Sequence, residues 1–364
     1  MSHRSFLFEP FHKPWVRAAG LLFSTIVGAG VLGLPYAISR VGLVIGTAYI
    51  IGMGLLVMSV HLVLGELVLR TKKHAQMTGI IRTYLGSGAA ILMAIVFLAL
   101  HIGAMTAYLI GCGQSLGILF GGRPFAWSLL FFLCGTLIIV RGTKVIATFD
   151  YFMNIATIII LFFISAAALG AAEHFPLFPT PNASLFLPYG VLLFAFHGTS
   201  AIPEMELITG RDPKQLRAAI IAGSLLPILL YLLFAVAVVL VTGRETTDIA
   251  TIGLGQAIGP GMIWAGNIFA IIAMCTSFVM IGQALRRTFQ WDFGFRPAFA
   301  IACATGIPLG LYLLGAREFV RVIAIIGALF GTIEFFLILW AYRKAHSAAT
   351  YEENRNFRWW FWWR

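Results

Sequence analysis

The stretch GAGVLGLP, residues 28–35, places three glycines and a proline inside an apolar run that is long enough to cross a membrane. A second stretch, FHGTSAIPE at residues 196–204, interrupts another apolar run in the other half of the chain. Unpaired backbone groups are costly in lipid, so an unwound segment at that depth must be enclosed by protein or line a cavity. A pair of such segments, one in each half, is typical of the binding site of a membrane transporter.

Composition places the chain among membrane proteins. Of its 364 residues, 60% are hydrophobic and 11% are charged, which is more apolar surface than a soluble protein of this length could bury. Apolar runs of roughly 20 residues predict ten membrane spans. Their approximate bounds are 15–37, 42–69, 89–120, 125–140, 145–170, 185–208, 215–241, 260–285, 297–315 and 319–342.

The basic residues give the expected orientation of these spans. The formal net charge is +11, and with the N-terminus in the cytoplasm all but five of the 25 Lys and Arg residues fall on the inner side. Cytoplasmic loops of membrane proteins carry this excess. The charge is therefore a topology signal and does not indicate a nucleic-acid partner. We expect a multi-pass protein of the cell membrane, embedded in the lipid bilayer, with both termini cytoplasmic.

Ten spans divide into two sets of five, and each set opens with an interrupted span. An odd number per half means that the second half enters the membrane from the opposite side, which predicts an all-α inverted repeat. We expect a cytoplasmic segment at 1–14, a transporter domain at 15–343 and a cytoplasmic aromatic and basic tail at 344–364. Within the domain, the first repeat covers 15–170 and the second covers 185–343.

Three connecting or terminal segments carry open alternatives. Residues 74–87 are either a short amphipathic cytoplasmic helix or an interfacial loop, and residues 243–259 are either a short outer lid helix or an interfacial loop. The end of the tail, FRWWFWWR at 357–364, is either an anchor at the membrane surface or a disordered end.

The glycines at 28, 30 and 33 match the GxGxxG fingerprint of dinucleotide-binding folds. That fingerprint requires a preceding strand and an acidic residue about 20 positions later, and here both flanks are apolar spans without the carboxylate. At membrane depth, glycines with this spacing instead let the backbone leave the helix. The helix that resumes then presents its positive dipole end to an anion.

Several stretches, in order along the chain, resemble the amino acid/auxin permease superfamily and, within it, the bacterial tryptophan/tyrosine and hydroxy amino acid permeases. They are GAGVLGLPYA at 28–37, TAYLIGCG at 106–113, FAFHG at 194–198, DPKQLRAAI at 212–220 and TSF at 276–278. The resemblance covers about residues 15–343. It implies a LeuT-like 5+5 fold of the APC superfamily, with discontinuous helices 1 and 6, and secondary transport of amino acids.

Two features depart from that family. The family usually has eleven spans where this chain shows ten, and Cys112 replaces a glycine of the third-span motif. The second departure puts the identity of the substrate in doubt.

The two interruptions predict how an amino acid is held. Its carboxylate should meet backbone N–H groups of the first interruption, and its ammonium should meet carbonyls freed at the second. The alternative is that the glycines only allow close helix packing. The predicted substrate-binding residues are Gly28, Ala29, Gly30, Tyr108, Phe194, Phe196, His197, Gly198, Thr199 and Phe278.

Coupling requires a second site, for H⁺ or Na⁺. In span 8, Thr276, Ser277 and Ala273 resemble the groups that hold a cation in this fold, with carbonyls near Ser24 and Val27 as partners. The alternative is ordinary packing of small hydroxyl residues. The resembling permease branch is generally proton-driven, and His197 and Glu204 are ionisable groups at and just after the second interruption that could carry a proton. The alternative for His197 is that it only hydrogen-bonds a freed carbonyl.

The predicted function is cation-coupled symport of a neutral or aromatic amino acid by alternating access, with a proton favoured over sodium. No covalent chemistry and no cofactor beyond the coupling ion are expected. The alternatives are an amino-acid sensor on a transporter fold and a polytopic membrane enzyme.

Glu334 lies deep in span 10 and must face protein or water. The sequence assigns no oligomeric state.

Overall fold

The computed structural model describes residues 13–71, 75–141, 144–172, 186–291 and 293–348. Within these ranges the chain folds as helices joined by short connections and contains no β-strand. The helices are α1 Pro14–Ile26, α2 Gly30–Val41, α3 Leu43–Arg70, α4 Met77–Phe120, α5 Pro124–Arg141, α6 Lys144–Gly170, α7 Phe186–Ala195, α8 Ile202–Ile208, α9 Pro213–Thr242, α10 Ala250–Ile258, α11 Pro260–Trp291, α12 Pro297–Leu313, α13 Phe319–Ile326 and α14 Thr332–Ala348.

Every predicted span corresponds to helix in the described chain. Seven helical stretches there are long and apolar enough to cross a membrane, and α1 with α2 forms an eighth span that bends by 58°. Two shorter apolar helices, Asn154–Gly170 and Pro297–Leu313, lie at the fifth and ninth predicted spans. The all-α fold with an interrupted first helix is therefore confirmed.

The two connecting segments that the sequence leaves open between helix and loop, 74–87 and 243–259, both contain a helix. In α4, Gly86 has a φ of 82° and separates a short helix, residues 77–85, from the third span. That short helix buries Met77, Ile80 and Ile81 and exposes Arg82 and Thr83, so it is amphipathic. α10 forms the second predicted short helix. The predicted anchor at 357–364 and the segment at 1–12 lie outside the described residues.

The helices pack as two groups. α1, α3, α8 and α9, which are spans 1, 2, 6 and 7, contact one another. α4, α5, α11 and α12, which are spans 3, 4, 8 and 9, form the second group. α14 contacts both α3 and α4, so the tenth span lies against both groups. The two interrupted spans lie where these groups face each other.

Large apolar side chains cover the outside of this assembly. Val44, Ile91, Leu137, Phe163 and Phe336 are all exposed. In water such a surface would be unfavourable, whereas lipid is the natural solvent for it.

Candidate functional site

The first break covers residues 27–29, between α1 and α2. The N–H group of Gly28 donates to the Ile26 carbonyl at 2.9 Å. In this part of the described chain, no backbone carbonyl accepts from the N–H groups of Ala29 and Gly30. Two of the three predicted carboxylate donors are therefore free, and both lie at the start of α2, the positive end of a helix.

The same break frees carbonyl oxygens. Because the Gly28 N–H reaches Ile26, the Ser24 carbonyl loses the donor that a continuous helix would supply. The Val31 N–H donates to Gly28 at 3.4 Å, so the Val27 carbonyl loses its donor as well. These are the two carbonyls that the sequence predicts as cation ligands.

The second break lies between α7 and α8, over residues 196–201. The His197 N–H donates to the Phe194 carbonyl at 3.1 Å, and a single 3₁₀ turn at Thr199–Ala201 follows Gly198. Among the described residues, no backbone N–H reaches the Phe196 carbonyl. A partner for an ammonium group is therefore available at this break.

The two breaks touch each other. A β-carbon on Gly30 would lie 2.6 Å from the α-carbon of Ala195, the last residue of α7. The hydroxyl of Tyr231, a fully buried residue of α9, lies 2.9 Å from the Ile26 carbonyl and 3.2 Å from the Ala195 carbonyl. Tyr231 therefore joins the two breaks through its single hydroxyl hydrogen, which two carbonyls share, one next to each break; sequence reasoning missed this role.

One cavity lies between the breaks. Gly28 and Gly30 border it from the first break, Phe194 and His197 from the second, and Tyr108 from α4. These are five of the ten predicted substrate-binding residues. The other lining residues are Thr25, Ile26, Leu100, His101, Ala104, Ser200 and Ile281.

Two aromatic side chains that the sequence predicts to bind substrate, those of Phe196 and Phe278, point away from the cavity. The Phe196 ring packs on Tyr231, with the ring centroids 5.1 Å apart. The Phe278 ring packs edge to face on Phe131 at 5.1 Å, and a β-carbon on Gly135 would lie 2.7 Å from it. Both rings therefore belong to the packing between helices and do not line the cavity.

The other three predicted residues support the breaks. Ala29 is fully buried. A β-carbon on Gly198 would lie 2.8 Å from Leu22 and Ile26, so this glycine lets the second break approach α1. The Thr199 hydroxyl donates to Oε1 of Glu334 at 2.5 Å.

Glu334 and His197 form a buried pair next to the cavity. His197 Nε2 lies 2.8 Å from Glu334 Oε2, and the carboxylate is fully buried. The ring of His101 in α4 lies edge to face with the His197 ring, with centroids 6.0 Å apart. The sequence places Glu334 deep in the membrane but does not identify its partner, because 137 positions separate the pair.

The residues predicted to bind a cation are only partly brought together. The Ser277 side chain lies beside the first break and the Tyr108 hydroxyl, since a β-carbon on Gly28 would lie 2.6 Å from Ser277 Oγ. The Thr276 hydroxyl instead donates to carbonyls of its own helix, Ile272 and Ala273, at 3.1 and 3.0 Å. The Ser24 hydroxyl likewise donates within its own helix, to Leu21 at 3.0 Å.

Glu204 lies outside the central cavity. Its carboxylate pairs with Arg287 of α11 at 3.2 Å, and both side chains are partly exposed. A second cavity, lined by both residues and by Met77 of the amphipathic helix, meets the central one at Ser200. The position fits a link between α8 and α11 better than a group next to the substrate.

Comparison with known proteins agrees with this geometry. A family model described as transmembrane amino acid transporter protein matches residues 12–364. Glutamine transporter 2 of Aliivibrio fischeri is 23% identical over 357 residues, which cover 93% of this chain and 91% of the relative. Tyrosine-specific transport system 1 of Haemophilus influenzae is 24% identical over 363 residues, covering 91% and 89%.

Solved structures share the fold. The structure of MhsT in complex with L-phenylalanine superposes with a TM-score of 0.70 at 14% identity, covering 93% of each chain. That of Mhp1, a nucleobase-cation-symport-1 family transporter, in a closed conformation with bromovinylhydantoin bound, gives 0.66 at 10% identity, covering 94% and 95%. Both are LeuT-fold transporters. The chain therefore belongs to the transmembrane amino acid transporter family, the amino acid/auxin permeases of the APC superfamily, and is an amino acid transporter of the LeuT-fold type.

Proposed function

We propose that this protein is a proton-coupled symporter of neutral amino acids, including aromatic ones, that works by alternating access. The observation that supports the proposal most strongly is the meeting of the two breaks around one cavity. The first break offers the free N–H groups of Ala29 and Gly30, and the second offers the Phe196 carbonyl; Gly30 borders the cavity, and Ala29 and Phe196 are buried next to residues that border it. Donors on one side and an acceptor on the other suit the carboxylate and the ammonium of a zwitterion.

The lining of the cavity supports a neutral substrate side chain. The described residues that border it include no Lys, Arg, Asp or Glu. Phe194, Leu100 and Ile281 supply apolar surface, while His101 and Tyr108 supply polar groups. Relatives named for glutamine and tyrosine, and a structural neighbour that holds L-phenylalanine, agree with such a mixed lining.

The choice of a proton over sodium rests on the polar groups near the breaks. Sodium would need several oxygens around one point, and the Thr276 and Ser24 hydroxyls are bonded within their own helices. An imidazole beside a buried carboxylate is instead suited to binding a proton.

We further propose that the protein lies in the cell membrane with both termini in the cytoplasm. The distribution of Lys and Arg supports this orientation. The Glu204–Arg287 pair would then lie toward the cytoplasmic end of the cavity.

Uptake into proteoliposomes tests the proposal. Purified protein is reconstituted and offered a panel of radiolabelled amino acids under an imposed proton gradient, a sodium gradient or no gradient. We expect a neutral amino acid to accumulate under the proton gradient. No gradient-driven uptake of any amino acid would refute symport, and substrate binding without counterflow would indicate a sensor instead.

A further inference from the structure

Glu334 is a buried carboxylate whose two oxygens are both bonded to the second break. Oε2 lies 2.8 Å from His197 Nε2, and Oε1 accepts from the Thr199 hydroxyl at 2.5 Å. Oε2 accepts from the imidazole when His197 carries a hydrogen on Nε2, and with that tautomer the geometry fits the ionised form of Glu334. An ionisable group within a membrane span marks a functional site by default.

The crossing of spans 6 and 10 explains how Glu334 reaches the break. A π-helical turn at Gly327–Gly331 joins α13 to α14. A β-carbon on Gly327 would lie 2.9 Å from the Phe194 nitrogen, and one on Gly190 would lie 3.0 Å from the Ala324 carbonyl carbon. The two spans therefore cross backbone against backbone, and π turns are frequent at functional sites.

The groups that face Glu334 are histidines. His61 comes from α3, His101 from α4 and His197 from the second break. No Lys or Arg in the described chain forms an ion pair with Glu334. Because an uncompensated buried charge is costly, this carboxylate is either protonated itself or balanced by a proton on one of the three imidazoles.

Only one of these described histidines contacts both the carboxylate and the cavity. His61 is fully buried, and its Nδ1 lies 3.2 Å from the Ser224 hydroxyl. His101 uses its Nδ1 to donate to the Phe97 carbonyl at 2.7 Å. His197 is bonded to Glu334, borders the cavity and has a side chain that is 13% exposed.

We propose that His197 and Glu334 together form the proton-binding site that couples transport to a proton gradient. A proton from water in the cavity binds the imidazole, Glu334 balances its charge, and the proton later leaves to water on the other side. This inference rests on the proposed function and names the groups that perform its coupling step.

The coupling follows from the position of His197. The residue belongs to the same unwound segment as the Phe196 carbonyl, which we expect to hold the ammonium of the substrate. Loss of the proton leaves the buried carboxylate uncompensated and so favours a rearrangement of that segment. Proton occupancy and substrate affinity are therefore linked through a few residues of backbone.

The test compares two transport modes in proteoliposomes, with the amino acid that the wild type accumulates best. Glu334→Gln keeps the shape of the side chain but cannot balance a charge on His197. We expect it to retain counterflow, which needs no gradient, and to lose proton-driven accumulation about tenfold or more. The dependence of substrate binding on pH should also flatten.

Two further variants make the test robust. Glu318→Gln, also in the last part of the chain, removes an exposed carboxylate that pairs with Arg321, and it should behave as the wild type. If Glu334→Gln does not fold, His197→Gln replaces it, and proton uptake on substrate binding is followed with an indicator dye in weakly buffered detergent solution. The wild type should take up a proton and His197→Gln should not.

The outcomes separate this inference from the proposed function. If Glu334→Gln still accumulates substrate under a proton gradient with a wild-type pH profile, the coupling site is overturned and transport is left standing. Where Glu334→Gln does not fold, the same result in His197→Gln has the same meaning. Accumulation of substrate by the wild type under sodium alone also overturns it. If the wild type shows neither accumulation nor counterflow for any amino acid, the proposed function itself fails.

Discussion

The Tyr231 hydroxyl is a single group that bonds to both breaks, and its removal should loosen them. Tyr231→Phe keeps the buried ring but leaves the Ile26 and Ala195 carbonyls without this donor. The Ile26 carbonyl keeps the Gly28 N–H as a donor, whereas the buried Ala195 carbonyl is left unpaired, which costs about 1–3 kcal/mol. We expect the variant to melt at a lower temperature in detergent and to bind substrate more weakly.

Tyr312→Phe is the matched control, since Tyr312 is a buried tyrosine of α12 whose hydroxyl bonds to neither break. It should leave substrate affinity unchanged. If Tyr231→Phe retains both the wild-type melting temperature and the wild-type affinity, the hydroxyl does not hold the breaks together.

The close contact between Gly28 and Ser277 allows a test of the first break. In Gly28→Ala, the new β-carbon would lie 2.6 Å from Ser277 Oγ and 3.2 Å from the Tyr108 hydroxyl. We expect substrate affinity, measured by equilibrium binding, to fall about tenfold or more because the cavity wall must shift.

Ser277→Ala in the same protein removes the closest of these contacts. We expect Gly28→Ala to lower the melting temperature through this contact and the double variant to regain the wild-type value, while affinity stays low because the added β-carbon still narrows the cavity. Wild-type affinity in Gly28→Ala alone would show that this position does not shape the substrate site.

At the scale of single residues, the sequence predicts which residue types lie near the site better than it predicts where their side chains point. His197 is predictable because an ionisable group in a span is rarely inert. Phe196 and Phe278 are flagged by motif, but a helix turns each successive side chain by about 100°, so the face they occupy depends on packing. Tyr231 gives no such signal, because its acceptors lie 205 and 36 positions away.

Among the elements, α9 begins at a cap that can be tested separately from transport. The Asp212 carboxylate accepts from the backbone N–H groups of Lys214 and Gln215 and from the Gln215 side chain. Asp212→Ala should lower the free energy of unfolding by about 1 kcal/mol, whereas Asp212→Asn should change it little, because Asn caps equally well.

These hydrogen bonds, chiefly those from Gln215, hold the pKa of Asp212 below its ordinary value. The stabilisation is therefore present above the unfolded pKa of about 4 and is lost as the pH falls below it. Melting temperatures of the two variants across pH measure this. Equal melting for Asp212→Ala and wild type at neutral pH would contradict the capping role.

The elements themselves follow closely from the sequence. Apolar runs and basic loops fix the spans, and glycine with proline marks the first break. The length of each half-helix is harder to predict, since α8 extends over only Ile202–Ile208 while α2 continues to Val41. Glycines with positive φ mark both ends, Gly42 (87°) directly after α2 and Gly210 (60°) shortly after α8, but Gly33 lies inside α2, so a glycine alone does not predict where a half-helix ends.

Across the whole molecule, the two helix groups should move relative to each other during transport. Glu204 of α8 and Arg287 of α11 join the groups through a pair that is partly exposed. Such a pair contributes about 0.2–1 kcal/mol. Glu204→Gln should therefore shift the balance between closed and open forms by roughly two- to fivefold at most.

Labelling of a cysteine introduced at Thr288, which borders the second cavity, measures this shift. In a background without the four native cysteines, Glu204→Gln should react faster with a thiol reagent added from the cytoplasmic side. The charge-swapped variant Glu204→Arg with Arg287→Glu should restore the slower rate. Unchanged labelling in Glu204→Gln would exclude the pair as a gate.

The overall architecture is predictable because it follows from parity and symmetry. Five spans in each half require opposite entry into the membrane, and that places the two interrupted spans face to face. The detailed chemistry between the two interrupted spans is not predictable from the sequence. It depends on residues of spans 3, 7 and 10 that only the folded structure brings to the breaks. Glu334 is the clearest case, since its role depends on where α13 and the π-helical turn before α14 cross α7.

The most direct test of the account is an experimental density map of the protein with a transported amino acid bound. We predict density for the substrate between the breaks, with its carboxylate on the N–H groups of Ala29 and Gly30 and its ammonium at the Phe196 carbonyl. Substrate bound elsewhere, or helices that run unbroken through residues 27–29 and 196–201, would contradict the account.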